Sequence, residues 1–186
     1  MGEALSVLAP PKNASAPPRD EPAPQAPQEP RPVANILGIF TWHPALTKAF
    51  LGFNNHLFAS TLTDRVRELV TVRVSWVRDG EYEWAQHVRM GKAVGLSDRE
   101  IDAISEGPDS PVWEPVEAAL LRAVDEIVAE RYVSDATWAA LEGHFDRQQL
   151  MDIVFTIGAY DMLAMAFNVF GLQLDPGMEG FPLDAR

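Results

Sequence analysis

Glu83 and His87 stand four residues apart in the run Glu81-Tyr82-Glu83-Trp84-Ala85-Gln86-His87-Val88-Arg89-Met90. On a helix that spacing sets both side chains on one face, one turn above the other. Continuing the face gives Met90 and Val94, and the stripe beside it gives Trp84, Val88 and Gly91. An acid and an imidazole therefore share the side of a helix that the apolar pattern assigns to the interior. Burying such groups costs several kcal/mol unless they are paired. A fold for this chain has to bring a partner to them.

The preceding segment offers one. Thr63 is an N-cap residue ahead of Asp64 to Arg78, which contains Glu68 and no Gly or Pro. Within it Val70-Thr71-Val72-Arg73-Val74-Ser75-Trp76 alternates with period two, a strand-like pattern. The uninterrupted length favours a helix buried on more than one side. Asp79-Gly80 breaks it, so that the helix carrying Glu68 can fold back on the one carrying Glu83 and His87. Gly95 is placed to cap the second of these.

The rest reads as helix and turn. Asn35 to Trp42 is a short apolar lead-in, and Pro44 opens a helix to about Phe58. Ser97-x-x-Glu100 is a capping box for a short helix to about Glu106. After the turn cluster Gly107-Pro108-Asp109-Ser110-Pro111 comes an amphipathic helix from Val116 to Arg131. Ser134 caps another, and Asp146 caps a long helix from Arg147 to Phe170, ended by Gly171. That helix is apolar all round, which suits the centre of the fold or a subunit interface. Asp161 and Asn168 interrupt it, against a membrane span. Gln173 to Arg186 reads as irregular. The fold class is all-α.

Nine of the fifteen prolines fall within residues 1–32, interleaved with Ala, Ser and charges, so this stretch is expected to be a disordered tail. It shows no basic segment followed by an apolar run, so no signal peptide is expected. Residues 33–186 are of a length and composition that suit one domain. The net charge of −12 argues against nucleic acid or an anionic membrane surface as partner. The five arginines from Arg65 to Arg89 nevertheless form a local basic patch that would suit a small anionic substrate. The chain has no cysteine, which excludes disulfides and thiolate sites and fits a cytoplasmic location.

Glu68, then Glu83-x-x-x-His87, then a small-residue helix, Gly95 and Ser97-Asp98-Arg99-Glu100-Ile101 together resemble the core motif of the carboxymuconolactone decarboxylase family, which includes the alkylhydroperoxidase D proteins. The resemblance is densest over about 40 residues around the motif and runs more weakly from Asn35 onward. In the peroxidase branch the motif carries Cys-x-x-Cys ahead of the histidine. Here Gly80 and Glu83 fall at the cysteine positions, His87 on the histidine and Glu68 on the distal glutamate. Without cysteine the thiol peroxidase reaction is excluded. The resemblance implies an alkylhydroperoxidase D-like bundle of six to seven helices over residues 33–186, assembling as a homotrimer or homohexamer.

It also implies chemistry. The family's decarboxylases act on a carboxylated γ-lactone without a metal or organic cofactor. By resemblance His87 is the proton donor or shuttle, and Glu68 and Glu83 orient it or relay to it. An arginine, Arg73 first and Arg89 second, would hold the substrate carboxylate, with Trp76 and Trp84 as pocket walls. Two other readings stand beside this one. Glu68, Glu83 and His87 could be metal ligands, or the polar cluster could specify assembly in a non-catalytic helical protein.

Overall fold

The computed structural model describes residues 34–182. The expected proline-rich tail and the last four residues lie outside the described residues. Every regular element described is an α-helix: α1 Asn35–Phe40, α2 Pro44–Phe58, α3 Asp64–Val77, α4 Glu81–Ala93, α5 Asp98–Glu106, α6 Pro115–Glu130, α7 Asp135–Glu142 and α8 Arg147–Phe170. The all-α expectation holds. The count is eight rather than six to seven because the apolar lead-in closes as α1. Its first residue is tied down: the Asn35 backbone N–H donates to Asp175 Oδ1 at 2.7 Å, and its side-chain amide donates to the Gln173 and Leu174 carbonyls.

The helix ends follow the capping chemistry written in the sequence. The side chains of Thr63, Ser97, Ser134 and Asp146 accept from backbone amides in the first turns of α3, α5, α7 and α8. Gly95, just past α4, and Gly171, ending α8, both have positive φ.

α3 is the hub, lying against α4, α5, α6 and α8. Nine consecutive residues, Arg67 to Ser75, are buried. A helix covered on all sides has no polar face to betray its period, which accounts for the strand-like alternation of Val70 to Trp76. Three valines, Val70, Val72 and Val74, are fully buried there with Leu69.

α8 is two-faced. Leu150, Ile153, Ile157, Tyr160, Leu163, Ala164 and Phe167 enter the core, whereas Met151, Phe155, Met165 and Val169 are exposed. It is the one described helix long and apolar enough to cross a membrane, and its inner face is built into the bundle.

Candidate active site

α3 and α4 are antiparallel neighbours joined through Arg78, Asp79 and Gly80, and the turn places Glu68 opposite His87. Nδ1 of His87 lies 2.7 Å from Oε2 of Glu68. Glu68 is completely buried. Its other oxygen accepts from Nε of Arg67 at 3.2 Å. Arg67 is itself buried, bonded to Asp64 Oδ1 at 2.9 Å and lying over the Phe58 ring at 5.1 Å. The carboxylate is thus held between a guanidinium and an imidazole. With the Nδ1 proton donated to Glu68, Nε2 is the basic nitrogen of the ring.

Glu83 is a different kind of acid. It is 3% exposed, and among the described residues neither carboxyl oxygen has a hydrogen-bond partner. Burial pushes its pKa up to about 7, with its own backbone amide opposing. Gly80, which caps α4, makes room for it. A Cβ at position 80 would lie 3.1 Å from Oε2 of Glu83 and 3.0 Å from the Ala164 Cβ.

Glu83 and His87 share the wall of a cavity of about 280 Å³. The other walls come from α1, α2, α8 and further along α4, with Ile36, Leu37, Leu51, Met90 and Leu163 as apolar surface and Asn54 and Gln86 as polar groups. The Tyr160 ring stands edge-on to the His87 ring, with centroids 4.8 Å apart. Burial and the nearby carboxylates of Glu68 and Glu83 push the Tyr160 phenol up, so it stays protonated. Tyr82, buried in the cavity wall, donates to Asp175 Oδ2 at 2.9 Å; the same carboxylate fixes the start of α1.

The structure brings Glu68, Glu83 and His87 together and leaves the other expected site residues elsewhere. Arg73 points to the opposite side of α3, donating to Asp125 at 2.7 and 2.8 Å and to the Ile104 carbonyl. Arg89 is exposed and bonded to Gln86. Trp76 and Trp84 pack on each other and on Phe181, with centroids 5.3 to 5.5 Å apart, and do not line the cavity. Two residues that the sequence reading passed over belong to the site. Arg67 was signalled only by its adjacency to Glu68, and Tyr160 by being the one phenol in an apolar helix. Glu68 and His87 bond each other instead of converging on a shared point, and no group of three or more His, Asp or Glu among the described residues is arranged as a metal site.

Solved structures share this arrangement of helices. A protein of unknown function from Agrobacterium tumefaciens, described as a candidate antioxidant-defence AhpD, is 27% identical with a TM-score of 0.69, over 74% of this chain and 95% of its own. A peroxidase-related protein with an alkylhydroperoxidase AhpD core from Ralstonia eutropha is 20% identical with a TM-score of 0.69, over 77% of this chain and 78% of its own. A cysteine-to-alanine variant of the debrominase Bmp8, solved with 2,3,4-tribromopyrrole, is 14% identical with a TM-score of 0.65 and coverage of 76% on both sides. No curated protein matches this chain.

The fold is therefore that of an AhpD-like helical protein. Residues 44–126, which span α2 through most of α6 and hold the Glu68–His87 pair, match the Carboxymuconolactone decarboxylase family, which with the AhpD-like structures is consistent with a member of the carboxymuconolactone decarboxylase/AhpD-like superfamily.

Proposed function

We propose that this chain is an acid–base enzyme in which His87 transfers a proton to or from a carbon of a small ring compound. A decarboxylase-like lyase reaction is its first form. The observation that carries this reading is the 2.7 Å bond from His87 Nδ1 to buried Glu68, set in the wall of a ligand-sized cavity. Glu68 fixes the tautomer and Arg67 compensates its charge, so Nε2 is left to exchange protons with a substrate.

For a carboxylated lactone the steps are these. The bond between the ring carbon and the carboxylate breaks, carbon dioxide leaves, and the electron pair stays on the carbon, delocalised into the lactone carbonyl. The protonated Nε2 then delivers a proton to that carbon, and solvent returns one to the imidazole. Desolvation of the substrate carboxylate by the apolar walls favours the first step, because carbon dioxide carries no charge.

A second reading is supported by one observation: among the described residues no Lys or Arg lines the cavity. Proton transfer on an uncharged carbonyl compound, an enolisation, needs no cation. The fold-sharing debrominase holds a single small ring, in keeping with a cavity of this size. The exposed apolar side of α8 supports packing of copies of the chain on one another.

The test is carbon dioxide release from a carboxy-γ-lactone in deuterated water, with deuterium uptake followed in the same sample. Wild type and His87→Asn are compared. Gas release lost in the variant supports the lyase; deuterium uptake without gas, also lost in the variant, supports enolisation. Turnover equal in both proteins would remove His87 from the chemistry.

A further inference from the structure

The acid–base reading leaves one group unexplained. The Glu83 carboxyl is buried on the cavity wall, with neither oxygen partnered among the described residues. An unpaired buried carboxylate is costly, whereas the same group against a cation is stabilised. The rest of the wall supplies what a cation needs. Phe40, Phe50, Phe58, Tyr82, Tyr160 and Phe167 all line the cavity, and the negative faces of such rings attract organic cations. Among the described residues no Lys or Arg lines it. The net charge of −12 favours the approach of cations over anions.

We propose that the cavity recognises a small molecule bearing a protonated amine, with the ammonium group seated against Glu83 and its carbon frame enclosed by the aromatic walls. This rests on the cavity being the substrate site, and it favours proton transfer on a substrate without a carboxylate over the lyase form of the reaction at His87. The ammonium would convert Glu83 from a neutral acid in the free protein to a paired carboxylate in the complex. Ligand binding would therefore release a proton at neutral pH and strengthen as pH rises through about 7, the value to which burial raises this carboxyl.

The site's other ionisable groups come from three helices. Glu68 and Arg67 come from α3 and compensate each other, and His87 comes from α4 itself. Tyr160 comes from α8 and stays neutral. A positive charge on His87 would also repel a cation, so the Glu83→Gln variant is needed to separate the two.

The experiment measures binding of benzylamine, benzyl alcohol and benzoate by titration calorimetry, at about pH 8 and about pH 5, to wild type and Glu83→Gln. All three probes share one ring and differ in charge. The expected result is a preference for benzylamine over benzyl alcohol of about tenfold or more at the higher pH. That preference should fall at the lower pH and vanish at both in Glu83→Gln. Circular dichroism confirms that the variant is folded, and the pH comparison in wild type stands without it. Benzyl alcohol or benzoate binding as tightly as benzylamine would overturn the proposal. So would a preference that survives Glu83→Gln, or no binding of any probe. Failure here would leave the Glu68–His87 chemistry intact, and failure of turnover at His87 would leave the cation preference measurable.

Discussion

Arg67 and Glu68 are consecutive in sequence and both buried, with Nε 3.2 Å from Oε1. Adjacent residues on a helix normally diverge. These two meet because the guanidinium is held from outside by Asp64 and the Phe58 ring. Removing the guanidinium leaves a completely buried carboxylate with only the imidazole for a partner. Arg67→Met should therefore lose about 3 kcal/mol or more of stability. The double variant Arg67→Met/Glu68→Gln should recover part of that loss, since no charge is then stranded. Urea unfolding of the four proteins of the cycle measures this; strictly additive losses would mean that the two side chains are not coupled.

His87→Asn keeps an N–H donor close to the position of Nδ1 and deletes Nε2. Its fold should be retained, because the bond to Glu68 can be remade. Turnover should fall by about 10²–10⁴-fold, the range expected when a general acid–base is removed. Glu68→Gln should leave Nε2 present while disturbing the tautomer, giving a smaller loss and an altered pH profile. Steady-state rates across pH for both variants check this order, and a larger loss in Glu68→Gln than in His87→Asn would reverse the roles.

The spacing of Glu83 and His87, the caps at Thr63, Ser97, Ser134 and Asp146, and the break at Asp79-Gly80 are local, and each was legible in the sequence. Which arginine pairs with Glu68 was not. Arg67, Arg73 and Arg89 all sit near the motif, and which one reaches Glu68 depends on how α3 is rotated against α4 and α6. Asp125, which takes Arg73 away, lies 52 residues further on. The aromatic wall was hidden for the same reason, since Phe40, Phe58 and Phe167 belong to three helices that meet only in the tertiary fold. Trp76 and Trp84, by contrast, were visible as aromatics beside the motif and turned to the other side, onto Phe181.

Gly80 takes part in the site through the side chain it lacks. A Cβ there meets Ala164 at 3.0 Å and the Glu83 carboxyl at 3.1 Å. Gly80→Ala should cost about 1–3 kcal/mol through overpacking, and Ala164→Gly in the same chain should return part of it by opening the facing surface. Thermal unfolding of the single and double variants tests the contact. An unchanged midpoint for Gly80→Ala would show that α4 shifts freely at its start, in which case Glu83 is not confined there.

The raised pKa of Glu83 links this site to global stability. In the unfolded chain the carboxyl titrates near its ordinary value of 4.5, and in the folded protein near 7. The native state therefore binds more protons between those values, and stability falls as pH rises through that window. Below about pH 4 the contribution is fully present, and above about pH 8 it is gone. A shift of this size corresponds to about 3 kcal/mol. Glutamine carries no titratable proton, so Glu83→Gln should remove that slope and make the variant more stable than wild type at the alkaline end. Urea unfolding of both proteins across this range is the measurement. Parallel curves would mean that Glu83 titrates as an exposed carboxyl does, and its burial against Gly80 and Ala164 would then be relieved by a rotation of the side chain into the cavity.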